Sequence, residues 1–234
     1  MRRVVATTMR TPGRDADLAV GYLIAESVLR HPSDIASVAM ADDRVTVELP
    51  DGVIPETCGT ARTGYQNSSC GMCGKTSIEA ALRHVHDVSG VGPIWDADRI
   101  PEFTDQLRLR QPLFSRSGGV HGCGLMDAGG EFIEVAEDVG RHNALDKLIG
   151  SVWRRDRARF KNSMLVVSGR VSFELVQKAL IVGVPIMVAV GAPSTMAVST
   201  AERYGQTIIG FVRDGRYNVY CHSERLRTDA TGSR

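Results

Sequence analysis

From Met164 to Val212 the chain reads MLVVSGRVSFELVQKALIVGVPIMVAVGAPSTMAVSTAERYGQTIIGFV. Three short apolar runs, Met164–Val167, Ile186–Val190 and Thr207–Val212, alternate with stretches of helical length, Phe173–Val182 and Thr195–Tyr204. Wholly apolar strands between helices signal a sheet covered on both faces. Upstream, Val120–Met126 and Phe132–Val135 read as a hairpin about Asp127-Ala128-Gly129-Gly130, followed by a helix over Asn143–Trp153. Downstream, Asp214-Gly215 turns the chain tightly into a final strand, Tyr217–Cys221. The reading is α/β: a mixed sheet covered by helices over residues 93–224, then a frayed polar tail, 225–234.

The amino-terminal part reads as a smaller α+β subdomain, residues 1–92. It holds a strand at Val4–Met9, a helix over Asp15–Leu29, and strands at Ile35–Met40 and Val45–Leu49. A capping box at Thr76-Ser77-Ile78-Glu79 opens a helix running to Val88. The Gly/Pro-rich connector Ser89–Pro93 leads to a further helix, Pro101–Phe114. Between these elements, residues 51–75 show no sustained period and carry five glycines and three of the five cysteines. A long stretch without periodicity inside a globular chain reads as a functional, mobile loop.

Composition narrows the function. Over 234 residues, 28 Lys+Arg against 27 Asp+Glu leave a net charge of +1, with 43% hydrophobic and 24% charged residues. That balance argues against a protein whose work is to neutralise nucleic-acid phosphates or anionic lipid. The longest apolar stretch, Ala179–Val190, is broken by Gly183 and Pro185 and is too short for a bilayer. No signal-peptide pattern follows Arg2 and Arg3. Five cysteines in a chain of this length do not make a disulfide scaffold, which points to a reducing, cytoplasmic setting.

The sharpest chemical signal is Asn67-Ser68-Ser69-Cys70-Gly71-Met72-Cys73-Gly74-Lys75. A thiol becomes a good nucleophile on ionising, and a helix start, Lys75 and the partner thiol all favour the thiolate. Such a pair suits transfer of sulfur or electrons. Half of a structural zinc site is the bland alternative, but Cys58, Cys123, Cys221 and the histidines supply no second close pair. Gly74-Lys75-Thr76 is no P-loop, because the required first glycine falls at Ser69. A zinc deaminase is excluded by order, since His222-Ser223-Glu224 follows the cysteines.

In the second half, Ser117-Gly118-Gly119-Val120-His121 enters a strand and Glu137-Asp138-Val139-Gly140-Arg141-His142-Asn143 enters a helix. Arg and His at a helix start suit an anion or heterocycle; spacing alone favours simple capping by Asp138 or Asn143 with a solvated Arg. Arg213 and Arg216 present guanidinium forks suited to phosphates, though a solvated turn is the default. Ala192-Pro193-Ser194-Thr195 is a strand-end loop of the kind that gathers ligands. Cys123 reads as core filler, Cys221 as a thiol at a strand end, and Cys58 as part of the mobile loop.

Taken together, Asn67–Lys75, Ser117–His121, Glu137–Lys147, Ser168–Glu174 and Gly210–Tyr220 resemble the formate dehydrogenase accessory sulfurtransferase family. The likeness extends from Thr8-Met9-Arg10-Thr11-Pro12-Gly13 to about Tyr220. It implies a cytidine-deaminase-like fold without the zinc chemistry, a homodimer and a cytoplasmic sulfur carrier. That carrier would take persulfide sulfur from a cysteine desulfurase. It would deliver it to the molybdenum bis(molybdopterin guanine dinucleotide) cofactor before insertion into formate dehydrogenase. Carried onto this chain, Cys70 would hold the persulfide with Cys73 as partner thiol. Phe211, Val212, Arg213, Asp214, Gly215 and Arg216 would contact the cofactor. The electrostatic reading puts Cys73 nearer the helix start, so the choice between the two thiols stays open. Two departures stand out: the chain begins later than relatives, which usually carry one more strand, and Cys123 stands where they more often have alanine. The rival functions are a non-catalytic cofactor chaperone and a structural zinc module. Neither nucleic acid nor membrane is expected as a partner, and no resident metal.

Overall fold

The computed structural model describes residues 3–55 and 78–228. In chain order, helix α1 (Asp15–Ala25) precedes a two-stranded antiparallel ribbon, β1 (Ser37–Ala41) and β2 (Arg44–Glu48), then α2 (Ile78–Leu82). Strand β3 (Trp95–Asp96) leads into α3 (Ile100–Leu109) and α4 (Pro112–Ser117). The main sheet and its helices follow: β4 (His121–Asp127), β5 (Phe132–Asp138), α5 (Arg141–Asp156), β6 (Ser163–Val167), α6 (Phe173–Val182), β7 (Ile186–Ala189), α7 (Thr195–Arg203), β8 (Thr207–Arg213) and β9 (Arg216–Cys221). A last short strand, β10 (Leu226–Arg227), pairs in parallel with β3.

The main sheet has the order β5-β4-β6-β7-β8-β9. Its central strands β6, β7 and β8 are parallel, and β5, β4 and β9 run antiparallel to their neighbours. The fold is thus mixed α/β, as the alternating pattern predicts. Side chains of β6 and β7 alternate between two cores. Leu165, Val167, Met187 and Ala189 face a cluster built with α1, α5 and α6. Met164, Val166, Ile186 and Val188 face a second cluster with Ile100, Phe103 and Leu107 of α3. Both faces are covered, which is why these strands carry no polar alternation.

The first cluster draws Val20, Leu23 and Ile24 from α1 as well as residues of α5 and α6. Helix α1 crosses α5 where two glycines meet. A Cβ on Gly21 would stand 1.8 Å from the Asp146 carbonyl oxygen, and one on Gly150 would stand 1.9 Å from that of Asp17. Only hydrogens fit there.

Several local expectations shift. Val4–Met9 joins no strand ladder among the described residues; the Met9 carbonyl accepts from Asn143 Nδ2 (2.8 Å), and Thr11 N–H donates to Asp138 Oδ2 (3.0 Å). Helix α1 stops at Ala25 rather than Leu29, because Ser27 adopts φ 59° and reverses the chain. The helix expected over Pro101–Phe114 is two, since Pro112 has no N–H to offer Arg108 and forces Gln111 out of helical geometry. The helix expected to reach Val88 ends at Leu82. Arg225, expected in the frayed tail, is buried: its guanidinium donates to the carbonyls of Val91 (2.9 Å), Gly205 (2.7 Å) and Val88 and to Thr207 Oγ1 (3.0 Å).

Candidate functional site

Strands β6, β7 and β8 all end on one edge of the sheet, where open α/β folds gather their ligands. β4 runs the other way, so its first residue, His121, arrives at the same edge. Backbone hydrogen bonds tie the loops there into a line. Phe211 N–H donates to the Gly191 carbonyl (3.2 Å), Gly191 N–H to Gly169 (3.1 Å), and Ser168 N–H to Gly122 (2.9 Å).

At one end of this edge stands the β8–β9 hairpin. Asp214 and Gly215 both take positive φ (52° and 71°), the tight turn that Asp-Gly predicts, and Arg213 pairs with Arg216. Phe211 also has positive φ (56°), within a bulge between Gly210 and Arg213, and the residue is 42% exposed. A concavity of about 660 Å³ opens here, lined by Phe211, Arg213, Asp214, Arg216, Tyr217 and Asn218. Of the hairpin residues named from the sequence, Val212 turns its side chain into the second core and Gly215 forms the turn. Tyr217 and Asn218 were not singled out from the sequence, although their place just past an Asp-Gly turn put them beside it. Tyr217 Oη donates to the Ala97 carbonyl (3.0 Å), and burial, reinforced by Asp98 and Asp96, raises the phenol above its ordinary range.

Along the same edge, three strands away, lie His121, Arg141, His142, Arg170, Ser172 and Glu174. His142 Nε2 is 3.1 Å from Ser172 Oγ and 3.4 Å from Glu174 Oε2. Both partners sit on one ring nitrogen, so this is not a serine-hydrolase relay, which needs them on opposite nitrogens. Burial, then Arg141, His142 and Arg170, hold His121 below the ordinary imidazole range. Burial and Arg170 likewise lower Arg141, with Glu174 opposing. Capping by Asp138 or Asn143 does not occur: Gly140 is the N-cap of α5 and no side chain caps it. Asp138 instead accepts from Gly140 N–H (2.9 Å) and pairs with Lys147 (2.8 Å), and Arg141 is half-buried rather than solvated.

Cys58, Cys70 and Cys73 lie outside the described residues. The other two cysteines are free thiols. Cys123 is buried in the first core and burial pushes its thiol far up; Cys221 is half-buried, raised to about 11 mainly by burial, and donates to the Gln206 carbonyl (3.2 Å). Neither is a nucleophile at neutral pH. Among the described residues, no group of three or more His, Cys, Asp or Glu could hold a metal ion, and no helix is long and apolar enough to cross a membrane.

Fold and edge together define an α/β protein with a mixed sheet and a polar, glycine-rich ligand edge. The residue pattern of the FdhD/NarQ family matches residues 2–227, and the chain belongs to that family. It is 43% identical over 240 residues to the sulfur carrier protein FdhD of Mycobacterium tuberculosis, covering 95% of this chain and 86% of that one. It is 38% identical over 223 residues to that of Sulfolobus acidocaldarius, covering 95% and 85%. A crystal structure described as that of a formate dehydrogenase accessory protein from Desulfotalea psychrophila superposes with TM-score 0.76 at 25% identity, covering 96% of this chain and 85% of that one.

Proposed function

We propose that this protein is a sulfur carrier for formate dehydrogenase maturation, working as a cysteine persulfide relay. The observation that supports it most is a coincidence: the hairpin that the family resemblance assigns to cofactor contact is also where a concavity opens. Two guanidiniums and an exposed aromatic ring are what a nucleotide-bearing substrate needs, forks for phosphates and a face for a base.

In this reading the Cys70 thiolate attacks the terminal sulfur of a persulfide on a cysteine desulfurase. The desulfurase sulfur–sulfur bond breaks, its thiolate leaves, and a new bond forms on Cys70, with no net oxidation. Cys73 is the partner thiol. The sulfur then passes to the molybdenum bis(molybdopterin guanine dinucleotide) cofactor, here a substrate held through Arg213 and Arg216. The setting is cytoplasmic, the assembly a homodimer and the fold deaminase-like.

Incubating the full chain with a cysteine desulfurase and cysteine should add one sulfur to its intact mass. Cys70→Ala should abolish that gain. No gain, alongside undiminished cofactor binding, would instead make the protein a chaperone. Stoichiometric zinc with unfolding on chelation would make it a metal module.

A further inference from the structure

We propose that the corner between α3 and α4 docks an acidic protein face, with Leu109 as its apolar anchor and Arg108 and Arg110 as flanking charges. On the sulfur-carrier reading, on which the choice of partner rests, that face belongs to the cysteine desulfurase. Leu109 is 84% exposed at the end of α3, whose other side, Ile100, Phe103 and Leu107, lies in the second core. The guanidiniums before and after it in the chain are laid on rings. Arg108 Cζ lies 3.8 Å from the centre of the Phe114 ring, and Arg110 Cζ lies 5.2 Å from that of Phe132.

A guanidinium stacked on a ring keeps its donors at the edge, already ordered for a carboxylate, so little freedom is lost when a partner arrives. Apolar area at the centre with arginine beside it is what protein interfaces collect. The local carboxylates do not cancel the charge. Glu137 is spent on the Leu113 and Phe114 amides (2.9 and 2.8 Å), and Glu131, 79% exposed, stands 3.7 Å from Arg110. Among the described residues, Arg108 and Arg116 have no carboxylate within ion-pair distance, which leaves three guanidiniums against Glu131 and Asp105, a turn back on α3. A cation in the last turn of α3 also meets the helix dipole. That accounts neither for the rings beneath both guanidiniums nor for the bare leucine between them.

Packing on β4 fixes where this corner lies. A Cβ on Gly124 would meet Leu107 Cδ1 at 3.1 Å, and one on Gly122 would run into the Gln111 amide. The chain from α3 to α4 therefore crosses β4 toward His121 and the ligand edge. The hairpin concavity stands at the other end of that edge: β4, β6, β7 and β8 are consecutive neighbours, three steps of ~4.8 Å or ~14 Å in all. In the relay, loading is the step that joins two proteins, whereas delivery is to a cofactor held on the hairpin. Donor and acceptor would thus stand at opposite ends of one edge.

Biolayer interferometry of the full chain against a purified cysteine desulfurase, without cysteine, reads docking apart from sulfur transfer. Leu109 is exposed, so Leu109→Gln removes the anchor without opening the core. It should weaken binding about tenfold, as loss of a central contact does. Arg108→Glu combined with Arg110→Glu should weaken it further, and added salt should weaken the wild type. Arg203→Ala, on α7, should leave binding unchanged. Wild-type binding that these substitutions abolish, with no sulfur gained when cysteine is added, would support the surface while sinking the relay. No binding by the wild type, or binding indifferent to both Leu109→Gln and the double reversal, overturns the surface. So does a dimer of this chain that the same substitutions dissociate, which would put a second copy on the corner.

Discussion

Lys147 Nζ lies 2.8 Å from Asp138 Oδ2, with the two side chains 2% and 0% exposed. Lys147 also donates to the Thr11 carbonyl (2.7 Å), and Asp138 accepts from Thr11 N–H and from Asn143 Nδ2 (3.1 Å). The pair thereby fastens the amino-terminal segment to the start of α5. Removing one partner strands a buried charge, which costs far more than the intact pair contributes. Lys147→Met should lower unfolding free energy by about 3–5 kcal/mol in urea titrations. A loss below ~1 kcal/mol, the range of exposed pairs, would show the network to be dispensable.

The glycine crossing of α1 and α5 makes a second prediction. Alanine at position 21 or 150 favours a helix by ~1 kcal/mol over glycine, yet here the methyl meets backbone that no rotamer change can move. Gly21→Ala and Gly150→Ala should each destabilise by at least about 1–3 kcal/mol, the range for overpacking. Stabilisation of either variant in chemical denaturation would contradict the packing described.

Stability near the carboxyl end should depend on pH through His222. Burial opposes its charge, but the Glu202 carbonyl and Glu224, at 2.9 Å each, more than offset this and raise the imidazole above its ordinary value. The contribution is fully present below about pH 6.5, the unfolded imidazole value, and fades as pH rises through the folded one. Glu224 is lowered, chiefly by a hydrogen bond from its own backbone and then by His222, so its share is lost in acid. The melting temperature lost on His222→Gln should therefore be larger at pH 5.5 than at pH 8.5. An equal loss at both would refute the linkage.

Thiol chemistry offers a fourth test. With Cys123 buried and Cys221 raised to about 11, neither should react with a disulfide reagent at neutral pH in the native protein. Both should react in denaturant. Cys123→Ala and Cys221→Ser should leave sulfur loading intact. Loading that disappears in either variant would move the carrier site into the sheet.

Much of this architecture was legible in the sequence. The apolar runs of β6, β7 and β8 and the Asp-Gly turn depend on burial and local backbone preference, which a sequence displays directly. What escaped notice depends on distant partners. Val4–Met9 has strand-like residues, but its Met9 carbonyl takes a side-chain donor, Asn143 Nδ2 on α5, instead of a ladder. Arg141 reads as a solvated helix-start residue until the fold half-buries it and brings the charge of Arg170, from another loop, to bear on it. The hairpin arginines were legible as a turn, whereas the concavity beside them also needs Tyr217 and Asn218 from β9. Cys70 and Cys73 stand out by spacing alone, since C-x-x-C carries its chemistry locally.

Arg225 gathers carbonyls from Val88 and Val91, which precede it by 137 and 134 residues, and from Gly205, which precedes it by 20. On a ribosome, which delivers the chain from its amino end, the connector near residue 90 must wait for Arg225 to emerge. The lock on that connector is thus supplied late, and a nascent chain halted before residue 225 would leave the carbonyls of Val88 and Val91 without it.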